Sequence, residues 1–315
     1  MHPVGLLVVL LIACGGLDAA STDEVRATNA PPPPADTRPA AQPERAEVSP
    51  EASEPSTRAL RLTEPSHEAP DNAPHAILWT PPSPRAVFVF LHGWRGCARV
   101  LAHSGSVACR EGDEEQEGWG LIARFRDAGQ DALFVVPQLA WRARTGHPGR
   151  FAQEGYAARW LDALDVPADL PVVLLAHSAG FETALAIARH GGLGDRLRAI
   201  VLFDALYAGT ERLLAWVRQD PRRRLVSYAT RSGRPARQQR RLDRLARRAG
   251  LAVAHSLDAV AEATVVTQRT YAAHADVPRR HLPEVVAALS DLVGTRARET
   301  RHADPPAADT VPSAR

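Results

Sequence analysis

The residues best placed to do chemistry lie in Pro171 to Thr183, P-V-V-L-L-A-H-S-A-G-F-E-T. Five apolar residues, Val172 to Ala176, run into His-Ser-Ala-Gly, and a helical pattern follows to His190. A buried strand, a sharp turn and a helix would set Ser178 at the turn, the geometry of a nucleophile elbow. That turn needs small residues two before and two after the serine. Here they are Ala176, in place of the usual Gly, and Gly180. The same pentapeptide also fits a serine that only caps a helix after a parallel strand, so the other parts of an acyl-transfer site decide between the two. Serine catalysis needs a base, an acid that orients it, and donors for the developing oxyanion.

The base is expected in the loop after the last strand, where the sequence reads T-Y-A-A-H-A-D-V-P-R-R-H-L-P. His274 lies in the loop, ahead of Asp276 and Pro278, which suit a helix start. His281 falls inside the helix and is the reserve. His177, beside the serine, points off the turn. For the acid, Pro221 to Leu242 contains no Asp or Glu. The preceding apolar run ends at Asp204 in V-L-F-D-A-L-Y, which is therefore the preferred acid, with Asp258 in reserve. Asp204 also suits a helix cap at a strand–helix junction.

Alternating elements must position these groups. A short edge strand is expected at Ala76 to Trp79 and buried strands at Ala86 to Leu91, Ala132 to Val136, Val172 to Leu175, Arg198 to Phe203, Arg224 to Thr230 and Ala263 to Thr267. Helices are expected at Gly118–Arg126, Gly155–Leu164, Ala184–His190, Glu211–Arg218, Arg237–Ala249 and Val277–Val293. Apolar strands alternating with helices predict an α/β domain with a mostly parallel, doubly wound sheet and no inserted lid domain. Active sites of such sheets sit at the carboxyl edge.

The strand from Ala86 runs into His92-Gly93-Trp94-Arg95-Gly96. With this pair two strands upstream of the elbow, the region from about Ala76 to Thr295 resembles the α/β-hydrolase superfamily. The resemblance implies an oxyanion hole from the backbone N–H groups of Trp94 and Ala179. It implies Ser178, His274 and Asp204 as catalytic residues, an ester substrate (small-molecule or lipid) and no metal or organic cofactor. An amidase or peptidase on the same machinery, and an inactive hydrolase fold used for binding, are the alternatives. Trp94, Trp119, Trp141, Phe151, Tyr156 and Tyr207 are the aromatics expected around the cleft, with selectivity set by the loops Cys97–Glu117 and Leu139–Arg150.

The chain of 315 residues holds more than this domain. Val4 to Ala13 is too short an apolar run to span a bilayer and fits the core of an export signal. Leu11-Ile12-Ala13-Cys14 resembles a bacterial lipobox, although no Arg or Lys precedes it. Residues 1–14 are thus expected to be the signal, with Cys14 lipidated and the protein held at a membrane of the cell envelope, or secreted. Cys97 and Cys109 are then left as a pair, which an oxidising compartment would join. Residues 15–75, rich in Pro, Ala, Glu and Ser, are expected to form a disordered spacer, residues 76–295 the hydrolase domain and residues 296–315 a similar tail.

All 38 basic residues are Arg and none is Lys, against 36 acids, a net charge of +2. That balance supports no global polyanion binding. Eleven Arg between Arg222 and Arg248 face one acid, Asp243. Such a run could contact anionic lipid, lipopolysaccharide or nucleic acid. With little aromatic interleaving to stack single strands, and with Leu242, Leu245 and Leu251 as an apolar face, it is expected to be the solvated face of a helix.

Overall fold

The structure, a computed structural model, describes residues 54–69, 72–141 and 143–301. Cys14, the expected signal and the end of the expected tail lie outside these residues.

A nine-stranded sheet organises the domain. Its strands are β1 (Ser56–Leu60), β2 (Ala76–Thr80), β3 (Val87–Leu91), β4 (Leu133–Pro137), β5 (Val172–His177), β6 (Leu197–Phe203), β7 (Arg224–Thr230), β8 (Val253–Ala254) and β9 (Val265–Thr270). They lie in the order β1-β2-β4-β3-β5-β6-β7-β9-β8. Pairing is antiparallel at β1–β2 and β2–β4 and parallel throughout the rest. The helices are α1 (Ala98–Ala102), α2 (Leu121–Asp127), α3 (Tyr156–Asp162), α4 (Phe181–His190), α5 (Thr210–Val217), α6 (Gly233–Arg248) and α7 (Val277–Arg301). This is the expected α/β architecture, a mostly parallel, doubly wound sheet with helices on both faces.

Period-two alternation explains why both faces are covered. On β3, Val87, Val89 and Leu91 join a core beneath α3, α4, α5 and α6, while Phe88 and Phe90 join a second core beneath α1, α2 and α7. In that second core Phe125 of α2 stacks on Phe134 at 4.5 Å between ring centres. Central strands buried on both faces must be apolar at every position, which is why they read as unbroken apolar runs.

Two boundaries differ from expectation. Residues 56–75 were expected in the spacer, but β1 pairs along the whole of β2, so β2 is not an edge strand. The segment after β1 is also tied down, since the Tyr156 hydroxyl donates to the Glu64 carbonyl at 2.7 Å. Those residues alternate too weakly and hold too much Arg, Thr and Pro to read as a strand; backbone pairing, not burial, fixes them. The last helix likewise continues to Arg301, past the expected limit of 295.

Candidate active site

Register brings the chemistry together. His177 ends β5 opposite Phe203, the last residue of β6, and Phe203 lies opposite Tyr228 on β7. Ser178 and Asp204 therefore follow neighbouring strands at the same level of the carboxyl edge. Both have left-handed backbone, φ 52° and 47°. Such angles are costly for a residue with a Cβ and occur where surrounding structure imposes them. The small neighbours have a steric cause. A Cβ on Gly180 would run into the Leu91 carbonyl oxygen, and Ala176 is fully buried.

His274 sits in a short turn, His274–Asp276, between β9 and α7. Its Nδ1–H donates to Asp204 Oδ2 at 2.6 Å. The other Asp204 oxygen accepts from the Thr230 N–H at 2.9 Å and the Thr230 hydroxyl at 3.1 Å. Burial pushes this carboxyl up, but the hydrogen bonds from His274 and Thr230 outweigh it, and its pKa lies below the usual value. The acid is therefore held ionised and aimed at the base. Thr230 was not singled out in the sequence; an end-of-strand Thr is too common a β residue to stand out.

The reserve candidates lie elsewhere. His281 bonds Thr270 Oγ1 and Glu284 Oε1, each at 2.7 Å, and stacks on Tyr228. Asp258 is exposed, and its carboxylate accepts from the Ser256 hydroxyl at 2.9 Å. Neither approaches Asp204, His274 or Ser178 through a hydrogen bond among the described residues.

His177 is a structural partner of the base. Its Nε2–H donates to the His274 backbone carbonyl at 3.0 Å, and the two rings lie 4.7 Å apart. Burial first, then the neighbouring His274, lowers its pKa to about 3, so it stays neutral. Trp119 meets the His177 ring edge-on at 5.5 Å.

The loop after β3 presses against the serine. A Cβ on Gly93 would lie 2.6 Å from Ser178 Cβ and 3.1 Å from its Oγ, so only glycine fits. Among the described residues no acceptor meets the Trp94 N–H, which follows directly. His92 is fully buried, and burial lowers its pKa to about 4. Its neutral ring donates from Nδ1 to the Gly93 carbonyl at 2.8 Å and accepts the Leu139 N–H at Nε2 at 2.9 Å. Gln138, also missed in the sequence, accepts the Ala98 N–H at 2.9 Å and donates to the Gly96 carbonyl at 3.1 Å. The expected disulfide joins Cys97 to Cys109, with Cα atoms 6.0 Å apart, and anchors the far end of the same loop.

Ser178, Ala179 and His274 line one cavity of about 620 Å³ together with Trp94, Phe181 and Tyr207. Burial raises the Tyr207 phenol, and its hydrogen-bonding approach to the Ser178 hydroxyl opposes that. Glu182, Ala208 and Arg234 complete the wall. Of the aromatics expected here, Trp94 and Tyr207 line the cavity, Phe151 and Tyr156 are core residues, and Trp119 and Trp141 pack against the cluster around Cys97 and Cys109. The loops Cys97–Glu117 and Leu139–Arg150 contribute no lining residue to this cavity; α4, the segment after β6 and the start of α6 do so.

No protein-family model and no curated protein matches the chain. Among solved structures, it is similar to a mutant feruloyl esterase module from Clostridium thermocellum complexed with sinapinate (9% identity, 74% of this chain, 95% of that one, TM-score 0.47). It is also similar to esterase B from Lactobacillus rhamnosis (11% identity, 81% and 90%, TM-score 0.46). A third is TT1662 from Thermus thermophilus (13% identity, 76% and 99%, TM-score 0.43). Likeness at these values says nothing about chemistry.

Proposed function

We propose that this chain is a serine hydrolase that cleaves carboxylic esters through an acyl-enzyme. The observation that carries the reading is the 2.6 Å hydrogen bond from His274 Nδ1 to Asp204, with His274 and Ser178 lining the same cavity. With Nδ1 protonated and held, Nε2 is the free base. It removes the Ser178 proton as Oγ attacks the ester carbonyl, and Asp204 stabilises the imidazolium that forms. The oxyanion is received by the backbone N–H groups of Trp94 and Ala179, preorganised by His92, Gln138 and the disulfide. His274 then protonates the leaving alcohol, and water, deprotonated by the same Nε2, releases the acid product.

A fluorophosphonate probe tests the reading. Ser178 should label in the wild type and not in Ser178→Ala, and ester hydrolysis should disappear with it. A wild type that neither labels nor hydrolyses any ester would leave the fold as a binding module.

We place the enzyme at a bacterial cell-envelope membrane, carried by lipid on Cys14. The apolar run before Cys14 supports this, as does a disulfide suited to an oxidising compartment. Cys14→Ser should move the protein from the high-salt-washed membrane fraction to the soluble one.

A further inference from the structure

The Arg-rich run is the expected solvated face of a helix, and its Arg are ordered along it. α6 carries seven Arg and one Asp, a local charge of +6 in a chain whose total is +2. Its buried side is Pro235, Ala236, Gln239, Leu242 and Ala246. Arg234, Arg237, Arg241, Arg244 and Arg248 recur at steps of three and four, so they share one outward stripe about 21 Å long at 1.5 Å per residue. All seven Arg are exposed. Among the described residues only Arg241 has a carboxylate partner, Glu211. Asp243 lies off the stripe, half-buried, where it accepts from the Thr267 hydroxyl at 2.8 Å.

The stripe begins at the catalytic cavity, since Arg234 lines it. Two exposed large apolar side chains occur among the described residues, and both belong to this end of the molecule. Trp94, 59% exposed, lines the cavity. Tyr271, 75% exposed, precedes His274 by three residues, and Arg231 lies over its ring at 4.2 Å. Exposed Trp and Tyr beside a row of Arg is the composition that seats a protein on an anionic bilayer.

We propose that the Arg stripe of α6, with Trp94 and Tyr271 at its cavity end, is a docking surface for membranes rich in anionic phospholipid. Arg supplies the attraction to phosphate headgroups, and the two aromatics enter the interfacial region. Single-stranded nucleic acid is disfavoured as the occupant because the stripe carries no aromatic between its Arg, and the exposed Trp94 and Tyr271 favour a bilayer over a duplex. Docking stands on its own. Its consequence for catalysis, that the cavity opens towards lipid-borne esters, rests on the hydrolase reading above.

The test uses the full chain expressed without export, so that Cys14 carries no lipid. It is sedimented with vesicles of phosphatidylglycerol and phosphatidylcholine at 3:7, or of phosphatidylcholine alone. The expected result is binding to the anionic vesicles only, lost in high salt. The triple variant Arg237→Gln/Arg244→Gln/Arg248→Gln should bind at least about 30-fold more weakly, and Tyr271→Ser should weaken binding further. Circular dichroism and thermal melting identify a variant that is not folded, and the single Arg244→Gln variant then takes its place, with about a fivefold loss expected. Equal binding to both vesicle types, wild-type binding by the Arg variants, or displacement by an equimolar DNA duplex overturns the proposal. Vesicle binding with no Ser178 labelling would sink the hydrolase reading and leave docking intact.

Discussion

The His177 imidazole donates to the backbone carbonyl of His274 at 3.0 Å while its ring lies 4.7 Å from the His274 ring. The residue before Ser178 thus holds the His274 backbone, while Asp204 holds its ring. His177→Phe keeps a ring beside His274 and removes the donor. One lost hydrogen bond of about 1 kcal/mol predicts a roughly fivefold to tenfold lower kcat with little change in KM. Steady-state kinetics on a short-chain ester decides this, and an unchanged kcat would show that the contact only packs.

Asp204 fixes the His274 tautomer, and nothing else among the described residues bonds to Nδ1. Asp204→Asn should lower kcat by about 10³–10⁴-fold, as expected when the imidazole is held in the wrong tautomer. Asp258→Asn should behave as wild type, because Asp258 bonds only within its own turn. The assignment of the acid fails if the two variants exchange these outcomes.

Gly93 is where the loop after β3 meets Ser178. A methyl group there would sit 2.6 Å from Ser178 Cβ. Gly93→Ala should push the loop and the serine apart, lowering kcat by roughly 10²-fold, the scale of losing one oxyanion donor. Overpacking at this contact should also destabilise the domain by about 1–3 kcal/mol. Rates of fluorophosphonate labelling and a urea titration read the two effects separately.

Acid should unfold the protein through two buried histidines. Folded His92 and His177 take up protons only near pH 4 and 3, whereas an unfolded histidine does so near 6.5. The unfolded chain therefore binds more protons across this window. The stability they contribute is fully present above pH 6.5 and falls as pH drops from 6.5 towards 4 and 3. Each contributes a slope of up to about 1.4 kcal/mol per pH unit. Urea midpoints measured from pH 7.5 to 4.5 should decline accordingly, and His177→Phe should flatten the decline.

Much of this arrangement was legible in the sequence, for specific reasons. Central strands must be apolar on both faces, so β3, β5, β6 and β7 announce themselves. Ser178 and Asp204 stand where β5 and β6 end and His274 in the loop after β9, so position singles them out. What stayed hidden depends on contacts between distant residues. Gln138 and Thr230 are ordinary residues until folding aims them at the His92–Gly96 loop and at Asp204. β1 is exposed along most of its length and held by backbone pairing, which leaves little pattern. The cavity wall was expected from two loops in the absence of a lid, whereas Tyr207 and Ala208 come from the short connection after β6 and Arg234 from the start of α6.

The left-handed backbone at Ser178 and Asp204 has a further consequence. At Ser178 glycine would relieve about 1–2 kcal/mol of backbone strain and remove the hydroxyl. At Asp204 the same relief is offset, because the Thr230 N–H and His274 Nδ1–H would lose their acceptor. In a lineage that kept this chain only for its fold, glycine at 178 is the change that stability alone would favour, while aspartate at 204 would persist for its hydrogen bonds.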